Sequence, residues 1–172
     1  PIKNILNAEI PRIRMIGASG SMVQKQLYDE VMGADERVFV QDLSISLRCA
    51  KQTHFAYIKH PVVYTPMIFD NSRLSFNRKK EYNNTILAIF YFLQDNQDIF
   101  EENKAYFIKC LYSLIYKLEK HYNNYNITNI INYILSKLYI NTRKSLECVL
   151  DLYENAMCDK NEEYLKKIDS NL

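Results

Sequence analysis

A chain of 172 residues, nearly half of them apolar, has material for one ordinary core and is not a disordered tail. Its net charge of +2, with basic residues scattered among acids, excludes the concentrated cationic surface that nucleic acid or a strongly anionic membrane requires. Cys49, Cys110, Cys148 and Cys158 form no Cys-x-x-Cys unit and no zinc pattern with the three histidines, so they read as reduced, buried thiols of a cytoplasmic protein.

Glycine and proline lie entirely before residue 67, and this divides the chain near Asn77. In the first part, Arg14 to Ala18 is a short apolar stretch that fits a strand running into a small-residue turn. Ser19 or Ser21 is placed to cap a helix from about Met22 to Val31, with Val23, Leu27, Tyr28 and Val31 on one face. Gly33 stands where a helix ends. Val38 to Val40 reads as a short strand, and Gln41 to Lys51 as a helix with Leu43, Leu47 and Ala50 inward. His54 to Lys59 and Val62 to Tyr64 are aromatic and β-branched, which favours strands on either side of Pro61. Arg73, Arg78, Lys79 and Lys80 cluster beside Asn71 and Asn77; this is a solvated helix entrance or, alternatively, an anion contact.

The second part predicts helices throughout, because nothing there breaks them. Glu81 to Leu93 carries Ile86, Ile89, Phe90 and Leu93 at helical spacing, and Asp95-Asn96 punctuates it. Lys104 to Lys120 places Phe107, Leu111, Leu114, Ile115 and Leu118 on one stripe. Ile127 to Tyr139 repeats the pattern with Ile130, Ile131, Ile134, Leu135 and Leu138, after Asn126 or Thr128 as a cap. Thr142 to Ala156 follows with Leu146, Val149, Leu150 and Tyr153. The first reading of these stripes is core packing. The other is a docking surface for a partner or a membrane interface; peripheral membrane association and a homo-oligomer are both open to such a chain.

Two stretches carry chemistry. Gly33 to Arg48 reads GADERVFVQDLSISLR, an acidic turn, a short apolar run, then Asp42 at the mouth of an amphipathic helix. Upstream, Gly17-Ala-Ser-Gly20-Ser-Met-Val23 is a small-residue turn. Together they resemble the second half of a family 2, GT-A-type glycosyltransferase, in which an acidic-Asp pair is followed by Leu and Arg. Here the pair is Gln41-Asp42, with Leu43, Leu47 and Arg48 following. The likeness covers about the first third to half of the chain.

What the resemblance implies is an α/β fold, mostly helical. Residues 1–77 would be the acceptor-side part of a catalytic domain with a few short strands, and 78–172 an all-α helical region. It further implies an inverting transfer of a sugar from a nucleotide-sugar donor to a carbohydrate or lipid-linked acceptor, as in bacterial surface polysaccharide or lipopolysaccharide synthesis. Asp42 would be the base that accepts the acceptor hydroxyl's proton, because a carboxylate held at a helix start stays ionised. Gly17, Ser19, Gly20 and Ser21 would lie near the sugar or acceptor, Gln41 against the acceptor, and Arg73 near the diphosphate. Gln41 departs from the Glu common in that family, which removes a like charge beside Asp42. The Mg²⁺ or Mn²⁺ of the complete enzyme would be held elsewhere, since this chain has no Asp-x-Asp and the thirteen residues before Arg14 cannot form a nucleotide-binding half. On that reading the chain is a C-terminal fragment, or the partner of a missing half, and is inactive alone. Bland readings stand beside these: Asp42 as a helix cap, Asp35 and Glu36 as solvated turn residues, His54 and His60 as ordinary histidines.

The rival is a non-catalytic helical interaction module with a degenerate transferase remnant. Asp42 at a concave opening beside Ser19 to Ser21 favours the enzyme. Asp42 serving only its own helix, with an apolar patch exposed on the helices, favours the module.

Overall fold

Without Gly or Pro after Pro66, the backbone can satisfy its own hydrogen bonds over long runs, and it does so as helix. A computed structural model describes residues 21–56, 60, 64, 78–122, 126–138 and 144–154. Helix accounts for 73% of the described residues and no strand occurs among them, so the expected α/β architecture of a GT-A-type unit is corrected to an all-helical one.

The correction has a local cause at Val38 to Val40. A strand needs a neighbouring strand to take its backbone donors, and here the donors of Val38 and Phe39 are already used. The Val38 N–H donates to the Asp35 carbonyl at 3.3 Å and the Gln41 N–H to the Phe39 carbonyl at 3.0 Å. The Phe39 N–H donates to Asn84 Oδ1 at 3.0 Å. Residues 54–56 and Tyr64 likewise belong to no strand. Aromatic and β-branched composition favours strands only where a pleated, half-buried surface receives it. The remaining strand expectations, at 14–18, 57–59 and 62–63, lie outside the described residues.

The chain divides into two compact units, Pro1–Asp95 and Asn96–Leu172. In the first, α1 spans Lys25–Glu30, α2 spans Gln41–Gln52 and α3 spans Arg78–Gln94. Helix α1 ends because Met32 and Gly33 both take left-handed conformations, at φ 59° and 63°. This turns the Gly33 N–H back onto the Tyr28 carbonyl at 2.9 Å. A Cβ at position 33 would meet the tip of the Tyr28 ring at 2.9 Å, so glycine spares both the strain of the left-handed backbone and a shift of that ring. Helix α2 buries Leu43, Leu47, Cys49 and Ala50, and α3 buries Ile86, Ile89, Phe90 and Leu93, each at the spacing of one helical face.

In the second unit, α4 spans Gln97–Glu102, α5 spans Lys104–His121 and α6 spans Ile127–Lys137; residues 146–154 are also helical. The stripe of α5 is buried at Phe107, Leu111, Ile115 and Leu118, and Leu146, Val149 and Tyr153 are buried on the following helix. The short α4, with Ile99 and Phe100 buried, carries too few turns to show a period in sequence. Tyr116 of α5 stacks on Tyr133 of α6, with ring centroids 4.7 Å apart. Asn129 Nδ2 of α6 donates to Glu119 Oε1 of α5 at 2.6 Å. Later residues of α6 thus meet earlier residues of α5, and the two helices run antiparallel.

Candidate functional site

The turn between α1 and α2 holds the residues to which sequence assigned chemistry. Its centre is Asp35, which is buried rather than solvated as expected. Its carboxylate forms ion pairs with Arg37 at 2.6 Å and with Arg48 at 3.1 Å. Arg37 reaches on to Asp95 at 2.5 Å, and its guanidinium lies over the Tyr91 ring. Arg48 also donates to the carbonyl of Gly33 at 3.2 Å. The Asp35 N–H donates to Ser44 Oγ at 2.9 Å, and that hydroxyl donates to the Gln41 carbonyl. Hydrogen bonding from Arg37, more than the opposing effect of burial, holds the Asp35 carboxyl down at about 2. Arg37 is correspondingly raised by its bonds to Asp35 and Asp95. The network fastens the turn to α2 and α3, which is a structural use of its charges.

Asp42 sits in the first turn of α2, half-buried. Its Oδ1 accepts from the Leu43 N–H at 2.9 Å, and its carbonyl accepts from Ser46 Oγ at 2.6 Å. A carboxylate there satisfies a backbone donor that has no intrahelical partner and faces the positive end of the helix dipole. Gln41 is exposed and lines an open concavity of about 400 Å³ with Tyr28, Asp29, Met32 and Glu36. Asp42 does not line it. Ser21 is exposed ahead of α1, and His54 and His60 are exposed. Gly17, Ser19, Gly20 and Arg73 lie outside the described residues. Among the described residues no three His, Cys, Asp or Glu side chains gather as a metal site, so the Mg²⁺ or Mn²⁺ of the resemblance finds no holder among them. The thiols at Cys49 and Cys110 are pushed up by burial, Cys110 to about 11, which makes them poor nucleophiles.

The second candidate is α6, whose apolar stripe faces the wrong way for a core. Ile127, Ile131, Ile134 and Leu138 are 73%, 50%, 51% and 62% exposed, while Asn129, Asn132 and Ser136 are 2%, 6% and 1% exposed. Of the expected stripe, Ile131, Ile134 and Leu138 are therefore corrected to an outward face, while Ile130 and Leu135 are half-buried at its edges. Polar pairing holds this orientation. Asn129 bonds Glu119, Lys144 Nζ donates to Asn132 Oδ1 at 3.3 Å, and Asn126 caps the helix by accepting from the Thr128 N–H at 2.9 Å. The Tyr116–Tyr133 stack adds a flat contact on the same side. Satisfaction is incomplete: the buried Tyr112 hydroxyl and Asn129 Oδ1 have no hydrogen-bond partner. Burial, with a smaller contribution from Cys148, pushes the Tyr112 phenol up to about 12. No helix among the described residues is long and apolar enough to cross a membrane.

In comparison with known proteins, no family model matches this chain, and neither a curated protein nor a solved structure matches it.

Proposed function

We propose that the chain is a helical protein-interaction module whose working surface is the apolar face of α6. The observation that carries this reading is the inversion of that helix. Sequestering Ile127, Ile131, Ile134 and Leu138 from water would stabilise the molecule by roughly 1 kcal/mol or more per side chain. The free chain forgoes this and instead buries amide and hydroxyl groups that water would solvate well. Such an arrangement is reasonable where the exposed face is covered by something else. The residues of the presumed transferase motif have structural duties that account for them: Gly33 ends α1, Asp35 clamps the turn, and Asp42 serves the first turn of α2.

Site-specific photo-cross-linking in the native cell tests the reading. A benzophenone side chain at position 131 should transfer to one discrete polypeptide, while the same group at exposed Glu102 should not. An adduct pattern at 131 no different from that at 102 would remove the basis for the module.

A further inference from the structure

We infer that α6 is a detachable strap: it leaves α5 as one unit while the rest of the second compact unit stays folded. The composition of the interface is the first argument. Every fully buried residue of α6 is polar, namely Asn129, Asn132 and Ser136. The buried apolar residues of this unit, among those described, belong to α4, α5 and the helix over residues 146–154. Releasing α6 therefore takes no buried apolar side chain out of the core. Burial of apolar surface is what ties an element's docking to the folding of the whole, and α6 contributes little of it.

The contacts that hold α6 are the second argument, because most of them can be exchanged for water. Asn129 Nδ2 donates to Glu119 Oε1 at 2.6 Å, and Lys144 Nζ donates to Asn132 Oδ1 at 3.3 Å. Such bonds give way to bonds with water on undocking, so their net contribution is a fraction of their strength. One atom gains outright. Asn129 Oδ1 is buried without a hydrogen-bond partner while α6 is docked, and it meets water once α6 leaves.

What opposes undocking is narrow. The Tyr133 ring lies on Tyr116 with centroids 4.7 Å apart and planes 4° from parallel, and Ile130 and Leu135 are half-buried at the edges. A helix of 11 residues is marginal by itself in water, so an undocked α6 gives up its backbone hydrogen bonds and its amides exchange. The opening is local and of low free energy, well below global unfolding.

Hydrogen exchange of the full chain, read residue by residue, decides it. Amides of residues 131–137 should exchange about 100-fold or more faster, relative to their intrinsic rates, than those of residues 108–118, and should share one protection factor. Urea below the unfolding midpoint should hardly change them, because little apolar surface is exposed. Tyr133→Ala removes the stack and should speed exchange in α6 about tenfold while leaving α5 unchanged. Alanine is also the better helix former, so fraying alone would slow in that variant. Protection in α6 equal to that in α5, with the same urea dependence, overturns the inference. So does a gradient from the helix ends that Tyr133→Ala leaves unchanged or slows. A variant in which both helices exchange faster alike places α6 in the common core and also overturns it. The inference goes beyond the module reading and does not depend on it: cross-linking at position 131 reports a partner, whereas exchange reports the free chain.

Discussion

Asp35 shows how an acidic residue in a turn can be spent on structure. Sequence alone places Asp35 and Glu36 side by side in a polar stretch, and both read as solvated. The two differ because Arg37 and Arg48 converge on Asp35 only once α2 has formed and set Arg48 beneath the turn. The carboxyl's value falls from 3.8 to about 2 on folding. A group depressed in the folded state contributes stability that is fully present above its unfolded value and is lost as pH falls through the folded one. The window for Asp35 therefore runs from about pH 4 down to about pH 2, and its size is on the order of 2 kcal/mol. Asp35→Asn should cost about that much at pH 7, measured by urea unfolding with circular dichroism. The difference between wild type and variant should shrink towards zero as pH approaches 2. A difference that stays flat across that window would mean the ion pairs are not what the turn depends on.

At the scale of the element, periodicity revealed faces but not which way they turn. Ile86, Ile89, Phe90 and Leu93 on α3 and Phe107, Leu111, Ile115 and Leu118 on α5 are buried as their spacing predicts. The equally regular stripe of α6 turns Ile127, Ile131, Ile134 and Leu138 outward and leaves Ile130 and Leu135 half-buried. The information that decides between the two lies in partners distant in sequence: Glu119, ten residues before Asn129, and Lys144, twelve after Asn132. An Asn-x-x-Asn-x-x-x-Ser spacing on the opposite face of an Ile-rich helix was the only local hint. By itself it looks like an ordinary solvated side. The Val38 to Val40 strand failed for a related reason, since a strand is a relation between segments and not a property of three residues. This polar packing leaves a mark that can be measured. The Tyr112 hydroxyl is buried without a hydrogen-bond partner, and removing a buried polar atom that bonds nothing relieves a desolvation cost. Tyr112→Phe should therefore stabilise the chain by about 1 kcal/mol, read as a higher urea midpoint at unchanged slope. A loss of stability would show that the hydroxyl is bonded after all, for instance through a buried water.

For the whole molecule, the question is whether Gly33 to Arg48 is a piece of catalytic machinery or a well-made helix start. The resemblance rests on a short run of residue types, and residue types have more than one use. Glycine is needed at position 33 because the backbone there is left-handed and crowded by Tyr28. Leu43 and Leu47 face the core of α2, and Arg48 tethers the turn carbonyls and Asp35. Asp42 fits the first turn of any helix. Gly33, Asp42, Leu43, Leu47 and Arg48 are thus residues that a turn into an amphipathic helix would select unaided. The strands that would have given the motif its catalytic frame are absent among the described residues. The two readings part at Asp42. A base in the reacting site cannot be replaced by an amide without loss of turnover, because the amide cannot take up the proton. A residue that only serves a helix start can be replaced at a cost below about 1 kcal/mol, since an asparagine oxygen still accepts from the Leu43 N–H. We expect Asp42→Asn to unfold within that margin of the wild type. We also expect the wild-type chain, incubated with nucleotide-sugar donors and Mg²⁺ or Mn²⁺, to release no nucleoside diphosphate above a no-protein control. Release that depends on the chain and disappears in Asp42→Asn would return the motif to catalysis. It would also leave the outward face of α6 to be explained as part of an enzyme.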